Sequence, residues 1–119
     1  MSFKFEKLEV WKLSLDYSDM IYDLANKLPD SEKYNLNSQI IRAATSISLN
    51  ITEGSTGQSN AEQKRFLGMA IRSLIETIAC LKLIERRDYV EKEQIDNIIR
   101  VGEELFAKLT AFKKALDNN

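Results

Sequence analysis

The stretch "IDNIIRVGEELFAKLTAFKKAL", residues 95–116, carries the most regular apolar pattern of the chain. Its apolar positions follow one another at alternating steps of three and four: Ile95, Ile98, Gly102, Leu105, Leu109, Phe112 and Leu116. This spacing predicts a helix over about 91–117 with one face in a helix bundle. Glycine costs roughly 1 kcal/mol of helix propensity relative to alanine, so we expect Gly102 to permit a close helix contact.

Three more amphipathic helices are predicted before this one, at about 7–28, about 34–55, and from Ser59 to about Arg87. The first has two apolar stripes, formed by Leu8, Trp11, Leu15, Tyr22 and Ala25 and by Val10, Tyr17, Ile21, Leu24 and Leu28. The second has a stripe in which large and small residues alternate: Leu36, Ile40, Ala44, Ile47 and Ile51. Such alternation favours close packing between neighbouring helices.

The ends of these helices carry local signals. Pro29 is expected to end the first helix, because proline disfavours helical geometry in the residue before it. Gly54 and Gly57 are expected to end the second, since glycine tolerates left-handed backbone. Ser59 and Glu62 have the spacing of a capping box, in which each side chain accepts a hydrogen bond from the other's backbone N–H.

Composition favours one all-helical domain. The chain has 119 residues, 44% of them apolar and 29% charged, with four glycines and one proline. We therefore predict an all-α fold, an antiparallel up-and-down four-helix bundle that spans residues 1–119 as one domain. No apolar run approaches the ~18 residues of a membrane span and no secretory signal is visible, so we expect a cytoplasmic protein with no membrane contact.

Catalytic chemistry has little support in the residues. The chain has no histidine, which excludes a histidine-based triad and the Glu-x-x-His ligands of di-iron bundles. The lone Cys80 lies in an apolar stretch and is interpreted as core filler. Glu85 and Asp88 are spaced as a weak magnesium pair, but such sites need further carboxylates. We predict no enzymatic activity, no cofactor and no metal.

A polar stripe interrupts the apolar pattern of the second helix. Its members follow at steps of three or four and share one face: Gln39, Arg42, Ser46, Asn50 and Glu53. A solvated face and a functional site are two interpretations. The favoured one is a hydrogen-bonded structural network that locks this helix to its neighbours, with Arg42 paired to Glu76 of the third helix.

Apolar residues outside the main stripes predict association, because large exposed apolar patches usually mark interfaces. These residues are Ile41, Ile99, Val101, Phe106 and Tyr17. The candidate interface residues are Val10, Trp11, Tyr17 and Phe106, although plain core packing is the simpler interpretation for Trp11. We expect a homo-oligomer.

The third helix carries the candidate nucleic-acid contacts Arg65, Arg72, Lys82 and Arg86, which recur near one face. Repeated in an oligomer, they would form a polyvalent phosphate-binding surface. Two observations oppose this: the net charge is −1, and Arg65 and Arg72 can pair locally with Glu62 and Glu76.

Three blocks, "FEKLEVWKLSLDY", "LNSQIIRAATSISLNITEGS" and "RFLGMAIRSLIET", resemble those of the 23S rRNA-intervening-sequence protein family. The matching positions are Leu8, Val10 and Trp11; Gln39, Arg42, Ala43, Ser46, Ile47, Asn50, Glu53 and Gly54; and Phe66, Leu67, Ala70, Ser73 and Glu76. The resemblance spans nearly the whole chain.

The resemblance implies a left-handed up-and-down four-helix bundle that assembles into a ring, commonly of five subunits, with no established enzymatic activity. It also implies an association with RNA or ribonucleoprotein, since some relatives are encoded within ribosomal RNA genes and basic ones associate with nucleic acid and a polymerase. This chain departs from the basic type in its slight acidity and in the loop "GSTGQSNAEQ", which lacks arginine and lysine. We therefore favour an oligomeric scaffold with RNA or protein partners over a direct nucleic-acid binder.

Overall fold

Four helices form the body of the computed structural model, which describes residues 1–57 and 59–118. They are α1 (Glu9–Ala25), α2 (Leu36–Gly54), α3 (Asn60–Arg87) and α4 (Lys92–Ala115). Short 3-10 turns lie at Lys4–Lys7, Asp30–Glu32 and Leu116–Asn118. Because α2 packs on α1 and α3, and α4 packs on α3 and α1, the molecule is an antiparallel up-and-down four-helix bundle. The predicted fold class is confirmed.

The helix ends differ from the predicted ones by up to three residues. The first helix begins at Glu9 because the preceding residues form a 3-10 turn. The third begins after Ser59, whose hydroxyl accepts a hydrogen bond from the Glu62 N–H at 3.1 Å. Half of the predicted capping box is thus formed, while the Glu62 carboxylate accepts instead from the Arg65 guanidinium at 2.7 Å.

The core contains one apolar face from every helix. All five residues of the second predicted stripe of α1 are buried, and so are the five of the α2 stripe, whereas Leu15 and Tyr22 of the first α1 stripe are exposed. The sequence therefore predicted too wide a buried face for α1. Cys80 is buried, as predicted, and burial raises the pKa of its thiol. None of the helices in the described ranges is long and apolar enough to cross a membrane.

Gly102 lets α4 pack closely against side chains of α1 and α3. A Cβ built on Gly102 would lie 3.0 Å from a ring carbon of Tyr17 and 3.0 Å from Cδ1 of Ile78. The Tyr17 hydroxyl lies 2.7 Å from the Thr77 hydroxyl of α3, and Thr77 in turn donates to the Leu74 carbonyl at 2.6 Å. The predicted close contact at Gly102 is confirmed. Burial raises the pKa of Tyr17 to about 12.

Small residues let α2 and α3 share the most extensive helix contact of the bundle. Ala43 and Ala44 of α2 and Ala70 of α3 are buried. Gly54, the last residue of α2, leaves just enough room for α3, since a Cβ there would lie 3.1 Å from Cβ of Phe66. Gly57 follows with φ of 85°, the left-handed geometry that favours glycine in the turn between the two helices.

A hydrogen-bonded cluster around Glu32 ties together the two connections at one end of the bundle. Glu32 lies in the turn between α1 and α2, and its buried carboxylate accepts a hydrogen bond from the Tyr89 hydroxyl at 2.7 Å. The same carboxylate accepts from the Asn35 side-chain amide at 3.0 Å. Tyr89 lies between α3 and α4, so the cluster links the two turns.

These hydrogen bonds make Glu32 a source of pH-dependent stability. The hydrogen bond from Tyr89, and then that from Asn35, lower the pKa of Glu32. Because the pKa is lower in the folded than in the unfolded chain, the contribution to stability is complete above the unfolded value and is lost as the pH falls through the folded value. We expect Glu32→Gln to flatten the fall in melting temperature between about pH 5 and pH 3. Melting curves over this range are the measurement.

The matched control is Glu53→Gln, which removes an exposed carboxylate. Its melting temperature should fall with decreasing pH as steeply as that of the wild type. Equal acid sensitivity in the wild type and Glu32→Gln would contradict the role of the cluster.

Candidate interaction surfaces

The polar stripe of α2 divides into a half that faces α3 and a half that faces solvent. Ser46 and Asn50 are partly buried, and the Asn50 side-chain amide donates to the Ser46 carbonyl at 2.8 Å and to its hydroxyl at 3.0 Å. The Ser73 hydroxyl of α3 bonds the Ser46 hydroxyl at 2.9 Å. A compact network of Ser46, Asn50 and Ser73 therefore joins the two helices.

The other members of the predicted network are exposed to solvent. Gln39, Arg42 and Glu53 are exposed, and so is Glu76 on α3. The four ion pairs found within residues 1–57 and 59–118 involve neither Arg42 nor Glu76. The structure thus contradicts the predicted Arg42–Glu76 pair, because both side chains are exposed to solvent and neither belongs to these ion pairs.

Two substitutions separate these halves. Ser46→Ala removes a hydroxyl that bonds both Ser73 and Asn50, and we expect a loss of about 1 kcal/mol in the free energy of unfolding. Arg42→Ala removes an exposed side chain and should change it by less than about 0.5 kcal/mol. Urea unfolding of both variants at one protein concentration measures the difference. A larger loss in the free energy of unfolding for Arg42→Ala than for Ser46→Ala would support the predicted structural network in which Arg42 takes part.

Some of the candidate interface residues lie in the core and others lie at the surface. Tyr17 is 0% exposed and Val10 is also buried, so both belong to the core and the expectation that they form an interface is corrected. They point inward because they lie on the second stripe of α1, which faces α2, α3 and α4. Trp11 is partly buried and packs edge to face on Phe5, with ring centroids 4.9 Å apart. Phe106 is 42% exposed.

Phe106 borders an apolar groove between α3 and α4. The groove has a volume of about 460 Å³ and is lined mainly by Ile75, Ile78, Ile99 and Phe106, with Lys82 and Glu103 at its edges. Of the other residues that lie outside the main stripes, Ile41, Ile99 and Val101 are only partly buried and pack against the core.

Two exposed apolar residues of α3 were missed by the sequence reasoning. Ile75 is 53% exposed and Leu83 is 52% exposed. The available signal was their position, because both fall on the face that also carries Arg72, Lys82 and Arg86. Isoleucine and leucine on an otherwise charged face indicate a surface that another molecule covers.

The basic stripe of α3 lies fully on the surface. Arg65, Arg72, Lys82 and Arg86 are all exposed. Arg65 is engaged locally, since its guanidinium pairs with Glu62 at 2.7 Å and lies over the Phe66 ring at 4.6 Å. The expected pairing of Arg72 with Glu76 is not formed, because neither residue belongs to the ion pairs of the described chain.

The weak magnesium pair of the sequence, Glu85 and Asp88, lies at the C-terminal end of α3. Glu85 lies in the last turn of α3, while Asp88 ends that helix in left-handed geometry with φ of 59°. Within the residues that the structure describes, no three cysteine or acidic side chains converge as a metal site would require.

Comparisons with known proteins agree with the sequence and the geometry. Residues 6–111 match the family model described as 23S rRNA-intervening sequence protein. A crystal structure from Bacteroides thetaiotaomicron VPI-5482, described as a protein with unknown function from the S23 ribosomal protein family, superposes with a TM-score of 0.81. Its sequence is 31% identical, and the match covers 88% of this chain and 95% of that one. No curated protein matches the chain.

Proposed function

Because this chain belongs to the 23S rRNA-intervening sequence protein family, we propose that it is a non-enzymatic, homo-oligomeric scaffold associated with RNA or ribonucleoprotein. The family description and the ribosomal family of the solved relative support the link to RNA. A partner of this kind would support the cytoplasmic location that we propose. The assembly proposed is a ring of five subunits, the form that the family resemblance implies.

The observation that carries the proposal is the exposed apolar surface on the outer side of α3 and α4. Ile75, Leu83 and Phe106 are each more than two-fifths exposed, and the groove beside Ile75 and Phe106 is mostly apolar. Covering such a surface removes apolar area from water at about 25 cal/mol per Å². A second protein surface is therefore the favoured occupant.

Direct nucleic-acid binding is the second candidate, favoured by the exposed basic stripe of α3. Arg72, Lys82 and Arg86 take part in none of the ion pairs of the described chain, so their charges are available to phosphates. The net charge of −1 opposes it, because non-specific affinity for nucleic acid depends on lysine and arginine neutralising phosphates.

Light scattering tests the assembly. The chain mass is 13.7 kDa, and we expect a several-fold larger particle at micromolar concentration. A monomeric mass under these conditions would refute the homo-oligomeric scaffold.

Fluorescence anisotropy with a labelled ribosomal RNA fragment separates the two candidates. A scaffold that reaches RNA through a protein partner should show no binding at low salt. Tight binding whose logarithm falls steeply with the logarithm of salt concentration would show several phosphates neutralised and would favour direct binding. The matched control carries Arg72→Gln, Lys82→Gln and Arg86→Gln. If the α3 stripe contacts RNA, the binding of this variant should depend much less on salt concentration.

A further inference from the structure

Helices α1 and α3 occupy diagonal corners of the bundle. Each of them packs on both α2 and α4, so their outer faces point to opposite sides of the molecule. The two faces differ in charge, and both carry exposed apolar side chains.

The outer face of α1 is acidic. Asp16, Asp19 and Asp23 are exposed and follow at steps of three and four, so they lie along one line of the helix. None of the three belongs to the ion pairs of the described residues. With Lys12, which lies one turn earlier on the same face, the net charge is −2, three negative charges against one positive. Tyr22, 46% exposed, lies beside this line.

The outer face of α3 is basic. Arg72, Lys82 and Arg86 are exposed, and with Glu76 they give a net charge of +2, three positive charges against one negative. Ile75 and Leu83 lie between these charged residues, and each is about half exposed. The face therefore combines apolar contact area with unpaired cations.

Like faces repel each other, whereas the two unlike faces attract. A symmetric contact through α1 would bring six carboxylates together, and one through α3 would bring six cations together. Contact of an α1 face with an α3 face pairs opposite charges and covers Tyr22, Ile75 and Leu83 at once.

We propose that the acidic α1 face of one copy, centred on Asp19, docks on the basic α3 face of a second copy, centred on Ala79. The inference rests on the proposed homo-oligomeric scaffold and specifies its interface. Because the two faces lie on different sides of the bundle, each contact leaves one face of each kind free at the two ends of the series, and the contact repeats head to tail. A fixed rotation between successive copies is what closes such a series into the proposed ring. Arg72, Lys82 and Arg86 are covered in this assembly and are unavailable to phosphates.

Two charge-reversed variants test the docking. The first carries Asp16→Lys, Asp19→Lys and Asp23→Lys, and the second carries Arg72→Glu, Lys82→Glu and Arg86→Glu. Each variant alone has two outer faces of the same sign and should sediment as a folded monomer, with unchanged helical circular dichroism. Mixed in equal amounts, the two have complementary faces in both directions and should form pairs and alternating open chains of one-to-one composition, because a ring of five cannot alternate two kinds of subunit. A chain with all six substitutions should assemble by itself.

The outcomes distinguish this inference from the proposed function. A monomeric wild type refutes the oligomeric scaffold and this interface together. A multimeric wild type with variants that also remain multimeric overturns the α1-to-α3 docking and leaves the scaffold intact. Variants that become monomeric but fail to assemble on mixing, together with a six-substitution chain that stays monomeric, also overturn the docking.

Discussion

Tyr17→Ala is expected to lower the free energy of unfolding by about 3–5 kcal/mol, the range measured when large aromatic residues in cores are truncated. Tyr17 is completely buried between α1, α3 and α4, and its hydroxyl bonds Thr77 across the core. The substitution removes the ring contacts and leaves a cavity opposite Gly102. Since domains of this size are stable by about 5–15 kcal/mol, a large share of the total is lost.

The matched control is Tyr34→Ala, since Tyr34 is 87% exposed in the connection before α2. It should change the free energy of unfolding by less than about 0.5 kcal/mol. Both variants are compared by urea unfolding at one protein concentration, because association would shift the apparent stability. A Tyr17→Ala variant that unfolds like the wild type but loses its assembly would mean that this side chain belongs to an interface and not to the core.

Gly102→Ala is expected to destabilise the bundle by about 1–3 kcal/mol through overpacking. The added methyl group would lie 3.0 Å from the Tyr17 ring and 3.1 Å from its hydroxyl oxygen. The Thr77 hydrogen bond holds that ring in place, so it cannot move aside without breaking the bond. The resulting strain exceeds the roughly 1 kcal/mol that alanine gains in helix propensity.

Gly68→Ala is expected to change the stability in the opposite direction, although Gly68 is also a glycine within a helix. Gly68 lies within α3, and a Cβ there would meet only the end of the Lys113 side chain at 3.5 Å. We expect this variant to be more stable than the wild type by about 0.5–1 kcal/mol, because only the propensity changes. Thermal unfolding of the pair measures both shifts, and two shifts of the same sign would contradict the role assigned to Gly102.

The fold could be predicted because its determinants are local. Spacings of three and four residues locate each helix, and Ser59 marks the start of α3 from its immediate neighbours alone. The end of α1 at Ala25 comes earlier than the end predicted from Pro29. Tyr17 shows the limit of prediction from local sequence patterns. It was assigned both to an apolar stripe and to a surface patch, and its burial depends on Gly102, 85 positions later in the chain. A pattern within one helix does not state which residue of another helix lies opposite.

The interaction surfaces were predicted less completely for the same reason. The stripe from Gln39 to Glu53 is correctly a single line on α2, but a small rotation separates Ser46, which meets α3, from Arg42, which meets solvent. The basic residues of α3 were predicted as a stripe, while Ile75 and Leu83, which lie between them, were not singled out. Exposure at such positions depends on the angle at which the whole helix packs, which no local spacing specifies.

The Glu32–Tyr89 hydrogen bond also bears on the order of events in folding. Within each helical hairpin, α1 with α2 and α3 with α4, the contacts join helices that follow one another in the chain. The Glu32–Tyr89 bond instead joins the turns of the two hairpins, 57 positions apart. It can form only after the two hairpins have docked with their turns at the same end. Contacts of this kind form late when local contacts lead, so removal of the Tyr89 hydroxyl should accelerate unfolding and leave the folding rate nearly unchanged.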